Sequence, residues 1–181
     1  PLLEKPRQKT PGTLAFEGIE WVDAAAGKPG AIARELAEHA WHHFGGPKAH
    51  DDANDTVFRF AGGDLAPEQA AELARLWAGS ARARILTATR GTPTGSLALN
   101  AYLHERALSR MSVSGAPDFV PGEPIMVTAN DYQRGLFNGD QGIVIRADEG
   151  AGGHRYRALF RIGERFVPLS NEARRDRLEL T

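Results

Sequence analysis

Gly122-Glu123-Pro124-Ile125-Met126-Val127-Thr128-Ala129-Asn130-Asp131-Tyr132, followed closely by Gly135-Leu136-Phe137-Asn138-Gly139-Asp140-Gln141-Gly142-Ile143-Val144, is the stretch whose reading decides the fold. Its first part is apolar and β-prone, and a second such run opens at Gly142. Between them Asn138-Gly139-Asp140 is a tight-turn signal, because Asn and Gly accept φ > 0. The stretch therefore reads as two strands joined by a loop. Asn130, Asp131, Tyr132, Gln133 and Arg134 fill that loop with hydrogen-bonding groups, a denser set than a mechanical connection needs.

Downstream the pattern continues. Short β-like segments fall at 124–129, 142–147, 154–162, 165–169 and 177–181, with Gly-rich hairpin tips at Glu149–Gly153 and Gly163-Glu164. Such a series of short strands predicts a small all-β barrel over 113–181. Upstream the character differs. Residues 1–12 are rich in Pro and Lys and read as a loose lead-in. Leu14 to Val22 alternates weakly and reads as a strand. Pro29 to Phe44 is a helix, with Ile32, Leu36, Ala40 and Phe44 recurring every four residues and Gly45-Gly46 as a stop. Residues 46–64 are polar and read as a loop around one short strand near Val57–Ala61. Pro67 to Ala78 is a second helix, with Pro67 in its first turn and Leu73, Leu76 and Trp77 on its apolar stripe. Arg84 to Arg90 reads as a short buried strand of a parallel sheet, since it lacks alternation. The turn Gly91–Ser96 leads to a third helix, about Leu97 to Ser109. Residues 13–112 thus predict an α/β layer structure, with helices flanking a small parallel sheet.

Composition bounds the function. The chain has 181 residues, 41% hydrophobic and 25% charged, enough for one domain or two small ones. A net charge of −1 gives no global signal for nucleic acid, so any such site is local. Zero cysteines exclude disulfides and thiolate metal sites, and fit a reducing, cytoplasmic location. No apolar run approaches the ~18 residues of a membrane span, and no signal-peptide pattern is expected. The sequence starts at Pro1 without an initiator Met, as expected of a piece cut from a longer protein.

Three motifs point the same way. Ile85-Leu86-Thr87-Ala88-Thr89-Arg90-Gly91 is followed by Gly95 and Leu99-Asn100. Gly122-x-Pro124 precedes a strand ending in Asn130-Asp131-Tyr132, and Gly135-Leu136-Phe137-Asn138-Gly139-Asp140-x-Gly142 opens the next. In this order and spacing the chain resembles the alpha subunit of exodeoxyribonuclease V, a RecD-type superfamily 1 DNA helicase. The resemblance covers residues 83–147 well and the C-terminus more loosely. It implies a partial RecA-like motor domain over 13–112, the second of the parent's two, and an SH3-like barrel over 113–181. It also implies a parent that unwinds DNA with ATP and Mg²⁺ in recombination and repair, partnered by beta and gamma subunits. Family members commonly carry a basic residue just before the Asn-Asp pair, where this chain has Ala129.

The candidate contacts to single-stranded DNA are Thr87, Thr89, Arg90, Tyr132 and Arg134. The first three end a predicted strand, where open α/β sheets place ligands, and their hydroxyls and guanidinium suit phosphate oxygens. Tyr132 offers a stacking face and Arg134 a charge beside a second flat surface. Asn130, Asp131, Asn138, Gly139 and Asp140 read as loop architecture, bonding to nearby backbone. Phe137 reads as a core anchor. Gly91–Ser96 imitates a phosphate loop, but Thr94 or Ser96 as a helix cap explains it better. His39 and His43 are four apart on one helix and could share a metal; with no third ligand in sight, a solvated face with Glu38 is preferred. Arg174, Arg175 and Arg177 are mixed with acids and read as ordinary surface.

The principal reading is a helicase fragment that contacts DNA and partner subunits. The alternative is a non-enzymatic SH3-like protein-interaction module. Neither assigns catalytic, cofactor or metal residues to these 181 positions. No G-x-x-x-x-G-K-[ST] phosphate loop occurs among them. The 181-residue chain is therefore expected to lack Mg-ATPase activity in a phosphate-release assay; robust turnover would overturn the helicase-fragment reading.

Overall fold

β6, Gln141–Asp148, is the strand around which the larger of the two sheets is arranged. In the computed structural model it follows β1 (Arg7–Lys9), β2 (Glu20–Val22), α1 (Pro29–His43), α2 (Gly46–Asp55), β3 (Val57–Ala61), β4 (Asp64–Leu65), α3 (Ala70–Ser80), α4 (Ser96–Leu108) and β5 (Pro124–Val127). It precedes β7 (Arg155–Ile162), β8 (Arg165–Ser170) and β9 (Leu178–Leu180). The structure describes residues 5–23, 25, 27–62, 64–111, 117–148, 155–163, 165–170 and 178–180. It is a mixed α/β chain in two compact units, Pro1–Gly46 with Arg84–Glu105, and Pro47–Ala83 with Arg106–Thr181. Among the described residues no helix is long and apolar enough to cross a membrane.

The second unit holds the larger sheet. β6 pairs antiparallel with β5 at one end and along most of its length with β7, which continues into β8. β9 closes onto β5, with Ile125 opposite Leu180. At its far end β6 pairs in parallel with β3, Phe58 lying opposite Ala147. The sheet therefore draws two strands, β3 and its antiparallel neighbour β4, from well before the run of strands that starts at Pro124.

Burial explains why β6 and β7 carry continuous apolar runs. Val144, Ala158 and Phe160 face one core with Phe119, Ile125, Val127, Leu136 and Leu178. Ile143, Ile145, Ala147 and Leu159 face the opposite way, into a second core with Phe58, Phe60 and Leu73. Successive strand residues point to opposite faces, so two cores demand apolar residues at consecutive positions over Ile143–Ile145 and Ala158–Phe160. Leu76, Trp77 and Phe166 complete the second core, with the Trp77 and Phe166 rings edge-on at 5.5 Å. Ile143, Val144 and Ile145 are at most 1% exposed; full burial of each contributes about 1.5–3 kcal/mol.

The first unit contains a two-stranded parallel sheet, β1 on β2, with Gln8 opposite Trp21. Glu20 organises the loop before it. Its Oε2 accepts the amides of Ala15 at 2.9 Å and Phe16 at 2.8 Å. Phe16 sits at φ +57, a left-handed conformation unusual for a bulky residue. The Phe16 ring packs on His39, His43 and Phe44. Burial alone would push the Glu20 carboxyl up; the bonds from Phe16 and Ala15, with the Lys9 and Arg7 charges, outweigh it and hold the group below its ordinary range.

Most expected elements occur within a few residues of their sequence-based bounds, and three readings need correction. Arg84–Arg90 is not a buried strand: it is irregular, with Leu86 91% exposed and Ile85 46%. A β-prone apolar run becomes a strand only where another strand accepts its backbone groups, and among the described residues none pairs with it. Residues 46–55, expected to be loop, form helix α2. Only Ala53 is buried in it, so it lacks the apolar stripe that marks a helix, and Lys48 and Asp52 bridge successive turns at 2.6 Å. Leu14–Val22 forms a strand only at Glu20–Val22, because Glu20 binds the preceding amides itself. The residues 149–154 and 171–177, with the Arg174, Arg175 and Arg177 cluster, lie outside the described residues.

At Gly142 the neighbouring strand β7 leaves no room for a side chain. A Cβ there would lie 2.6 Å from the Leu159 carbonyl oxygen and 2.7 Å from Phe160 Cε1. Gly142→Ala is expected to destabilise the chain by about 1–3 kcal/mol through overpacking. A urea titration reads this as a lowered midpoint at unchanged slope; an unmoved midpoint would contradict the packing described.

Candidate nucleic-acid interface

The loop between β5 and β6 is clamped at its base. Val127 N–H donates to the Asp140 carbonyl at 2.9 Å, and Gly139 N–H returns to the Val127 carbonyl at 2.8 Å. Higher up, Asp131 and Leu136 exchange both backbone bonds, at 2.7 and 3.1 Å. Asp131 is 5% exposed and Leu136 2%. These two buried residues pin the tip, Tyr132-Gln133-Arg134-Gly135, whose four members are all exposed.

Side chains fix the rest. Asn130 Oδ1 accepts the Asn138 amide at 2.8 Å, while its Nδ2 donates to the Tyr132 hydroxyl at 2.9 Å. Asp140 Oδ2 accepts the Phe137 amide at 2.7 Å, and Asp140 N–H donates to the Phe137 carbonyl at 2.9 Å. This closes a four-residue turn with Gly139 third, at φ +96, the turn position that favours glycine. Asn138 does not enter the left-handed region; only the glycine uses it. Arg134 Nη1 donates to Asp131 Oδ2 at 2.9 Å.

Phe137 corrects the sequence reading. It is 51% exposed and not a core anchor. Its neighbour Leu136 takes the core position, and adjacent residues of an extended segment face opposite ways. The Phe137 ring stands edge-on to Tyr132, centroids 6.2 Å apart at 79°. Tyr132 is itself 77% exposed. Arg134 also lines a shallow open groove with Ile162, Arg165, Val167, Pro168 and Leu169.

Thr87, Thr89 and Arg90 lie in the other unit, in the irregular segment before α4. Thr89 and Arg90 are exposed and Thr87 is partly so. Thr87 Oγ1 donates to the Thr89 carbonyl at 2.9 Å, and Thr89 Oγ1 lies 2.5 Å from Thr92 Oγ1. The backbone here closes the helix. Ser96 N–H donates to the Thr89 carbonyl at 3.2 Å, and Leu97 N–H to the Arg90 carbonyl at 3.1 Å. Two of the amides that a helix N-terminus would offer to a phosphate are thus already bonded.

The histidines of α1 are engaged in packing. His39 Nε2 lies 2.9 Å from the Leu14 carbonyl and His42 Nε2 3.7 Å from Glu38 Oε1. Among the described residues no group of three His, Asp or Glu side chains is placed to hold a metal.

Comparison with known proteins gives a partial likeness. No family model matches the chain. It is 39% identical over 74 residues, 37% of its length, to the RecBCD enzyme subunit RecD of two strains of Mycobacterium tuberculosis. The match spans 12% of those relatives. The chain is therefore similar to RecD over a limited stretch, a helicase-related likeness.

The Asn130 carboxamide is the hinge of the loop. Asn130→Ala is expected to cost about 1 kcal/mol of stability and to release the Tyr132 ring. Thermal melting measures the first, and Tyr132 ring NMR signals averaging towards free-tyrosine shifts measure the second. A variant with unchanged melting and unchanged ring shifts would contradict this role.

Proposed function

We propose that this chain is part of an ATP-dependent DNA helicase of the exodeoxyribonuclease V alpha type. In this reading residues 13–112 belong to a RecA-like motor domain and residues 113–181 to an SH3-like barrel inserted in it. ATP and Mg²⁺ act elsewhere in the parent, and the beta and gamma subunits are its partners. A cytoplasmic setting goes with the same reading. The observation that carries it is the 39% identity to RecD over 74 residues.

The chain's own contribution is contact with single-stranded DNA. Tyr132 and Arg134 stand exposed on a tip held by buried Asp131 and Leu136, so a ligand meets groups already ordered, and less ordering entropy is lost on binding. Thr87, Thr89 and Arg90 would add sequence-independent phosphate contacts. Polar side chains and arginine near backbone phosphates give affinity that falls with salt, since binding releases counterions.

Fluorescence anisotropy of labelled oligothymidylate with the 181-residue chain tests this. Binding should weaken steeply as salt rises, and Arg134→Ala should weaken it further while reducing the log–log salt slope by up to about one. No binding at low salt would remove the reading of this chain as a DNA-contacting piece.

A further inference from the structure

Phe137 is a large apolar ring that the fold leaves outside both cores. Its exposure is built in. The Asp140 carboxylate holds its amide, the Asp140 amide holds its carbonyl, and Leu136 occupies the adjacent core position. Tyr132 is held from the other side by Asn130 through its hydroxyl. The same Asn130 side chain binds the Asn138 amide, so one carboxamide ties the Tyr132 ring to the Phe137 turn. The rings are 6.2 Å apart and nearly perpendicular, which leaves the broad face of at least one ring open to a flat ligand. Exposed apolar area costs hydration free energy, which the edge-on contact between the two rings offsets only in part.

The neighbouring charges select among flat ligands. Arg134 belongs to the same tip and lines the groove with Arg165, and among the described residues no carboxylate lines it. Arg134 is paired with Asp131 and Arg165 with Asp64. The Arg165–Asp64 pair is well exposed on both sides, and such pairs contribute little, about 0–1 kcal/mol, so an incoming phosphate can compete for that guanidinium. Aromatic rings on the same loop as Arg134, which lines the groove of Arg165, suit unstacked bases joined by phosphates, and less well an acidic or Pro-rich peptide, which offers only one of the two features.

We propose that Tyr132 and Phe137 form a stacking site for unpaired nucleobases, with the groove of Arg134 and Arg165 taking the adjoining phosphates. This rests on the single-stranded DNA reading above and goes beyond it. It assigns base contact, as opposed to phosphate contact alone, to the β5–β6 loop, and it makes Phe137 a binding residue.

The test compares oligothymidylate with an abasic oligomer of equal length and charge, using the 181-residue chain and its Phe137→Ala and Phe137→Trp variants. The native chain should bind the oligothymidylate more tightly than the abasic strand. Phe137→Ala should weaken oligothymidylate binding about 5- to 100-fold and leave abasic binding unchanged, while Phe137→Trp should retain or improve it. Circular dichroism melting controls for folding, which a half-exposed ring should affect little. Equal binding of both strands, or an oligothymidylate affinity indifferent to Phe137→Ala, would overturn the stacking site and leave phosphate contact standing. Binding of neither strand would overturn both.

Discussion

Two-sided burial of β6 is the constraint on which the rest depends. One strand has to satisfy β5, β7 and β3 through its backbone while its side chains fill two cores. A slip of one residue would exchange the two faces and place Val144 where Ile143 belongs. Gly142 removes the side chain where the Leu159 carbonyl and Phe160 ring crowd the strand. The register of β6 against β7 is therefore fixed at several points, and the loop that β6 shares with β5 inherits that rigidity at its base.

The flank of β3 that the short β4 leaves uncovered is closed by a side chain. Gln69 lies beside β3 and acts as a short piece of neighbouring strand. Its Oε1 accepts the Arg59 amide at 2.7 Å and its Nε2 donates to the Val57 carbonyl at 2.9 Å. Ala66 N–H adds a bond to the Arg59 carbonyl at 2.9 Å. An unpaired β3 edge would be open to pairing with other chains. Here the polypeptide folds its own amide side chain onto that edge, and the same turn delivers α3, with Leu73, onto the second core.

Much of this was legible in the sequence, for physical reasons. α1 and α3 announce themselves by apolar spacing with Pro or Gly at their ends, α4 by the Gly- and Pro-bearing turn that leads into it, and β6 and β7 by short β-like segments. What was not legible depended on partners that are distant along the chain. The polar helix α2 buries little beyond Ala53, so its signal is propensity and one ion pair. Arg84–Arg90 has strand composition without a strand beside it. At Leu136-Phe137 the sequence offers two apolar neighbours of which only one can face inward. The choice is made by the Asp131–Leu136 backbone bridge, which no local pattern encodes. A sequence reading attentive to period-2 alternation could have flagged that pair as ambiguous, and with it the exposed ring.

The loop separates holding from contact by direction. Asp131, Leu136 and Asn130 spend their bonding capacity within the chain, while Tyr132 and Phe137 turn their rings outward. Arg134 belongs to both groups. One of its nitrogens is committed to nearly buried Asp131, and withdrawing that partner would leave a carboxylate with little access to water, which is costly. The guanidinium has five N–H donors in a flat fork, so it can keep Asp131 and still offer other edges to a ligand. Arg134 thereby acts in place, without reaching. In the proposed reading a strand comes down onto the tip, where the aromatic rings already stand, a geometry that suits a flexible single strand better than a rigid duplex.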